Sequence, residues 1–346
     1  RRRAEAGELA FGTVDSFLLY KLTGGAVHAT DATNAARTMI YNIGEGRWDE
    51  DLLGIMNIPA SLLPQVMDSS AEFGTTDPDL FGAAIPVGGI AGDQHAATVG
   101  QACLKPGMIK STYGTGCFAV LNTGDELVQS KNRLLGTIAY QIGGRTTYAV
   151  EGSIFIAGSV IKWLRDELGI IGDAAESAAL AASANKRAGL YFVPAFTGLG
   201  APYWDPDARA AILGMTLDTG RGEIVRAALE SVAYQTRDLM EAAGRDGAQT
   251  PSALRVDGGM VVNDWFCQFL ADTLGVPVER PKVIETTALG AAYLAGLSCG
   301  LFDSIEAVER AWARDRLFEP SLSDDQRNAQ YDGWQQAVAR VLSPGS

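Results

Sequence analysis

The chain has 346 residues, 47% of them hydrophobic, enough to bury the cores of two domains and without a composition that favours disorder. Its 28 basic against 41 acidic residues leave a formal charge of −13. That argues against a nucleic-acid or anionic-membrane surface, since both need clustered Lys and Arg, and any phosphate site must draw instead on backbone amides, helix N-termini and metal ions. The four cysteines, Cys103, Cys117, Cys267 and Cys299, form no C-x-x-C pair and read as structural thiols of a reducing cytoplasm. With His28 and His95 the only histidines, no histidine-rich metal site is expected. The longest apolar stretch, Ala288 to Phe302, is interrupted by Gly and Ser and too short to span a bilayer.

The opening Arg1-Arg2-Arg3-Ala4-Glu5-Ala6 begins inside a helical pattern, without Met or cap. Phe11, Val14, Phe17, Leu18 and Leu22 then recur at helical spacing until Thr23-Gly24-Gly25 ends the element. A loop-rich stretch punctuated by Pro59, Pro64, Pro78 and Pro86 follows, and Ile85 to Ile90 predicts a buried strand that delivers Gly92-Asp93-Gln94 at its end. From about Gly100 short strands are predicted over 107–112, 117–122, 136–141 and 146–150, separated by turn residues, as in a β-meander. Helices over 159–168, 174–184 and 223–243 come next, with a Gly-, Pro- and aromatic-rich connection from Pro194 to Asp207. A strand over 253–256 enters Asp257-Gly258-Gly259, and a helix from about Asn263 to Leu274, a strand over 276–280 and a helix over 288–301 close the series. Antiparallel strands followed by alternating helices and strands predict an α/β domain with a mixed sheet.

Asp93 stands where a predicted strand ends in a Gly-rich turn, a place that suits a carboxylate taking a proton from an attacking hydroxyl. The same position also suits a helix N-cap, and the local sequence leaves both open. Gly114-Thr115-Gly116 can bring backbone N–H groups and a hydroxyl against phosphate oxygens, or be an ordinary turn that needs glycine. Asp257-Gly258-Gly259 with Asn263 reads either as a strand–turn–helix anion site or as a tight connection. Gly158 precedes a helix carrying Lys162 whose N-terminus can face the same nucleotide. Neither a Rossmann nor a P-loop glycine motif occurs. The order of these signals, acid, then Gly-Thr-Gly hairpin, then late Gly-Gly turn, points to phosphoryl transfer to an alcohol.

That order resembles the actin-like ATPase (ribonuclease H-like) fold. The wording of Gly12-Thr13-Val14-Asp15, Thr30 to Ala35 with Arg37-Thr38-Met39, Gly89 to Gln94, Tyr113 to Phe118, Pro194 to Pro206 and Leu254 to Gly259 resembles the glycerol kinases of the FGGY carbohydrate-kinase family. The resemblance covers nearly the whole chain. It implies ATP and Mg²⁺ as cofactors, glycerol as acceptor, a cytoplasmic protein, and a homo-oligomer at full length. In site terms it implies Asp93 as general base, Gln94 hydrogen-bonded to glycerol and Phe118 packed on its carbons. Thr115 would lie near the transferred phosphoryl group, Gly158 and Gly259 along the polyphosphate and adenosine, and Asn263 at the nucleoside. Lys162 stands where many bacterial members carry Gln. No protein metal ligand is assigned.

The resemblance further implies that residues 1–99 are the end of a first, glycerol-side domain and residues 100–346 a complete second, nucleotide-side domain. A preceding half-site would be missing, and the chain alone would be inactive. Domain closure would pivot near Gly92 to Gly100 and again near the C-terminal helices. The family's inhibitory sugar-bisphosphate loop ends in Arg before Ile-Pro; here Ala84 precedes Ile85-Pro86, so that inhibition is not expected. Two other readings stand beside this one: an FGGY kinase for a ketopentose or another polyol, and a non-catalytic protein that keeps the actin-like second domain. Phe118 and the 30–39 stretch favour glycerol over the first, and retention of Asp93 with Gln94 speaks against the second.

Overall fold

The computed structural model describes residues 1–185, 189–248 and 250–344. Residues 1–100 are built from short elements, among them helices Val14–Leu22, Ala32–Ala35, Glu50–Met56 and Pro78–Phe81 and a parallel pair of strands, Ala29–Asp31 with Gln65–Met67. They end in helix α1 (Asp93–Gly100).

Beyond α1 lies a seven-stranded mixed sheet. Its strands are β1 (Ile109–Tyr113), β2 (Cys117–Gly124), β3 (Leu135–Ile142), β4 (Arg145–Ile154), β5 (Leu254–Asp257), β6 (Val278–Pro281) and β7 (Arg314–Phe318), in the spatial order β7-β6-β5-β1-β2-β4-β3. The expected mixed α/β sheet is therefore present, but the simple meander is not. β2 pairs with β4, and β3 lies outside β4 at the edge. The tight Gly143-Gly144 turn keeps β3 and β4 together as a hairpin, whereas the longer stretch 125–134 carries the chain past the place that β4 fills.

Along β2 side chains alternate between two cores. Ala119 and Leu121 enter one, Val120 the other, so the sheet is covered on both faces. The first core takes residues of α2 (Gly158–Asp166), α3 (Glu176–Ser183), the long α4 (Arg221–Arg245), α5 (Asp264–Leu274) and α7 (Asp324–Ala339). The second takes Val99 of α1 and Leu294 of α6 (Thr286–Ser298). Helices α1 and α6 meet backbone to backbone: a Cβ at Gly290 would stand 1.8 Å from the Ala96 carbonyl oxygen, and one at Gly100 2.0 Å from that of Thr286.

Residues 85–90, predicted as a buried strand, form none. They make isolated bridges, Thr75 with Pro86 and Ser70 with Gly89, and Ile85 is 46% exposed. Pro86 has no N–H to give a ladder. The backbone at Gly89 lies against α6, where a Cβ would come within 2.5 Å of the Ala295 amide nitrogen, so a helix holds the segment rather than a sheet. Among the described residues no helix is long and apolar enough to cross a membrane; the apolar stretch from Ala288 is most of α6.

Candidate active site

The parallel register of β5 on β1, from Leu254 opposite Ile109 to Asp257 opposite Thr112, sets the geometry. The turns that follow both strands, Gly114-Thr115-Gly116 and Gly258-Gly259, leave the sheet side by side at its carboxyl edge, where open α/β sheets place ligands. Gly258, at φ 90°, packs on the hairpin so tightly that a Cβ would lie 2.5 Å from the Tyr113 carbonyl oxygen.

The start of α2 is fastened to the same hairpin. The Gly158 N–H donates to the Gly114 carbonyl at 2.8 Å, and the N–H groups of Ala157 and Ser159 donate to that of Thr115 at 2.9 and 3.2 Å. Those amides, expected to face a nucleotide, are thus engaged within the protein. What Gly158 supplies is close approach, since a Cβ there would meet Gly114 O at 2.5 Å.

Thr115, Gly158, Lys162, Gly259 and Asn263 line one cleft of about 900 Å³, together with Ser177, Met260 and Trp265. Thr115 and Lys162 are exposed, and nothing lies within 4 Å of a Cβ built at Gly259. The strand–turn–helix connection takes a modified form. A 3₁₀ turn, Gly259–Val262, intervenes, and α5 starts at Asp264 with Asn263 as its cap. Asn263 Oδ1 accepts from Phe266 N–H at 3.0 Å, and Asn263 Nδ2 donates to Ser177 Oγ at 3.2 Å. One first-turn amide of α5 is therefore satisfied by the cap, and the side chain is held in place at the cleft wall.

Asp93, Gln94 and Phe118 do not line this cleft. Asp93 is the first residue of α1, capped by Gly92, so the alternative reading of Asp93 as N-cap does not apply. Its carboxylate is exposed, and Oδ1 accepts from the Gln94 N–H at 2.7 Å. The turn before it is buttressed from the 30–35 segment: the Gly92 N–H donates to Thr33 Oγ1 at 2.8 Å, and Thr33 Oγ1 donates to buried Asp31 at 2.8 Å. Burial pushes the Asp31 carboxyl up, against hydrogen bonds from Ser69, Asn34 and Thr33.

Gln94 and Phe118 meet through a residue that sequence reasoning missed. Lys110 of β1, fully buried, donates from Nζ to Gln94 Oε1 at 2.6 Å, to Thr112 Oγ1 at 3.0 Å and to the Phe118 carbonyl at 3.4 Å. Burial lowers its pKa, opposed by the charges of Asp257, Glu151 and Asp93. A lysine between Ile109 and Ser111, in a strand covered on both faces, is costly unless paired, and that was the available signal. Neighbouring His95 is buried and pushed down to about 3 by burial and by the charges of Arg37 and Lys110. It stays neutral near pH 7. Arg37 itself reaches across to Glu151 of β4 in a bidentate pair of 2.8 and 3.2 Å.

An exposed carboxylate beside an amide suits proton removal, and a separate cleft lined by a hydroxyl and glycine turns suits polyphosphate binding. Comparison with known proteins agrees in kind. The family description "FGGY family of carbohydrate kinases, C-terminal domain" matches residues 109–299, and the N-terminal domain of the same family matches residues 1–100. A glycerol kinase of Ectopseudomonas mendocina is 62% identical over 345 residues, covering 100% of this chain and 70% of the relative. One of Rhodospirillum rubrum is 62% identical over 343 residues, covering 99% and 69%. In three dimensions the chain superposes on a Plasmodium falciparum glycerol kinase with ADP at a TM-score of 0.92 and 38% identity, covering 99% of this chain and 69% of that one. A ligand-bound xylulose kinase of Lactobacillus acidophilus, at 23% identity and a TM-score of 0.81, covers 96% and 68% and shares the fold.

Proposed function

The chain belongs to the FGGY family of carbohydrate kinases, and from that we propose that it transfers the γ-phosphoryl group of ATP to a terminal hydroxyl of glycerol, giving sn-glycerol 3-phosphate. The observation that carries the reading is the convergence of Thr115, Gly158, Lys162, Gly259 and Asn263, from three separate segments, on one cleft of about 900 Å³. The 62% identity to proteins named glycerol kinase supports glycerol over a ketose.

In this reading residues 1–99 form the acceptor side and residues 100–346 the nucleotide side. Asp93 takes the proton of the attacking hydroxyl as the bond to phosphorus forms, Gln94 hydrogen-bonds the acceptor, and Phe118 packs on its carbons. Thr115 lies near the transferred group, Gly158 and Gly259 border the polyphosphate and adenosine, Asn263 meets the nucleoside, and Lys162 reaches the phosphates. Little covalent help is needed, because phosphoryl transfer depends on in-line positioning and charge neutralisation.

Mg²⁺ is the cation this chemistry implies. Among the described residues no group of three or more His, Cys, Asp or Glu is placed to hold a metal. Carried on phosphate oxygens, the ion supplies positive charge that a chain of −13 lacks. A cytoplasmic setting is part of the same reading, supported by four free thiols, three of them buried. So is a homo-oligomer, supported by Val14, Phe17 and Leu18, exposed along one short helix.

The test is ADP release with Mg-ATP and glycerol, D-xylulose or D-ribulose, in this chain and in the chain extended to its relatives' length. The expected result is little or no turnover by this chain, and in the extended chain turnover with glycerol alone, lost by a factor of about 10²–10⁴ in Asp93→Asn with nucleotide binding kept. A ketose preference refutes the substrate, and activity that survives Asp93→Asn refutes the base.

A further inference from the structure

Gln94 is an amide with two chemically different ends, and its side-chain carbonyl is claimed by Lys110 at 2.6 Å. An ammonium has N–H donors and no lone pair, so on this side it is matched by the amide oxygen, and the contact sets which end of the amide faces inward. The amide nitrogen of Gln94, with two N–H donors, has no partner among the described residues. Gln94 is half-buried and adjoins the exposed carboxylate of Asp93. Lys110 is itself immobilised by Thr112 and by the Phe118 carbonyl, the backbone of the residue expected to pack on the acceptor's carbons. It reaches the acceptor side through its hydrogen bond to Gln94 and through its charge, which acts on Asp93.

We infer that Lys110 is a positioning residue for acceptor recognition: it locks the Gln94 amide so that its NH₂ end donates to a hydroxyl oxygen of the acceptor, while Asp93 alone takes the proton. The inference rests on the alcohol-kinase reading and adds a division of labour to it. One neighbour of the pair is donor only and the other acceptor only, which distinguishes the two hydroxyls of a 1,2-diol. An acceptor lacking the hydroxyl held by Gln94 leaves that NH₂ unpaired and is rejected.

Two variants test this in the protein that turns over glycerol. Gln94→Glu keeps the inward oxygen and strengthens its pairing with Lys110, but removes the outward donor. Its melting temperature is expected to match or exceed that of the unaltered protein, while KM for glycerol rises tenfold or more and KM for ATP changes less than twofold. Lys110→Met is expected to raise the glycerol KM by a similar factor, and to add nothing further once Gln94 is Ala. Rejection of 1,2-propanediol relative to glycerol should shrink in both. Gln94→Glu that binds glycerol normally overturns the inference, as does a folded Lys110→Met with an unchanged glycerol KM. A double-mutant cycle on melting temperature reads the coupling of positions 94 and 110 without substrate. Coupling without glycerol turnover refutes the alcohol-kinase reading and leaves the contact; turnover without coupling refutes the contact.

Discussion

Asp238 is the clearest case of a carboxyl whose titration is set by packing rather than by reaction. It lies on α4, fully buried, and accepts from Tyr331 Oη at 2.6 Å and Trp334 Nε1 at 2.9 Å of α7. Burial pushes it up to about 7, with these hydrogen bonds opposing. A folded-state pKa above the unfolded one means that the native state holds the extra proton between about pH 4 and 7. Stability therefore falls as pH rises through that window, by at most about 1.4 kcal/mol per unit from this group. Asp238→Asn, which mimics the neutral acid, should flatten the slope, and urea unfolding at pH 5, 6 and 7.5 measures it. A slope that survives the substitution would assign the effect elsewhere. Nothing at position 238 announced this in the sequence, because an Asp on an amphipathic helix reads as surface until the tertiary partner is known. Asp93 was legible for the opposite reason: glycines and an apolar run frame it locally. Lys110 was not singled out, since its meaning depends on Gln94, sixteen positions earlier in the chain.

At the scale of elements, the hairpin after β1, the turn after β5 and the start of α2 form one backbone-packed unit. Gly158→Ala would drive a Cβ to 2.5 Å from Gly114 O. It is expected to cost about 1–3 kcal/mol by overpacking and to weaken ATP binding as the hairpin shifts. Gly259→Ala is the control: its Cβ meets nothing within 4 Å, so its urea midpoint should stay near that of the unaltered protein. Equal losses in the two variants would contradict the packing argument. Helices α2 to α6 were legible to within a few residues, since 3.6-residue periodicity and caps are local, whereas α7 was not predicted. Strand order was not. Four strands with turns between them predict pairing of neighbours, and only the non-local register reveals that β4 lies between β2 and β3. Residues 85–90 misled for a related reason, because an apolar run does not say whether a sheet or a helix will cover it.

Across the whole molecule, the pair Arg37–Glu151 ties the first hundred residues to the sheet, with Glu151 buried and Arg37 40% exposed at its side chain. Arg37→Ala leaves a buried carboxylate without its counter-charge, and the expected cost is at the low end of about 3–5 kcal/mol, because Arg37 keeps part of its solvent. Glu151→Gln should cost less, which a pair of urea titrations decides; equal or reversed losses would remove the pair from the account of stability. The pivot expected at Gly92–Gly100 falls on α1, a continuous helix seated directly on α6, so bending there must lie outside residues 93–100.

The contact of α1 with α6 also bears on where the chain can be divided. The two family matches part between residues 100 and 109, which invites cloning each as a separate module. Yet Gly100 and Gly290 bring the helices together through main chain rather than through interchangeable side chains. A cut at that boundary would halve a single interface, and grafting either half onto a distant relative would succeed only where the recipient kept a residue without a side chain at both positions.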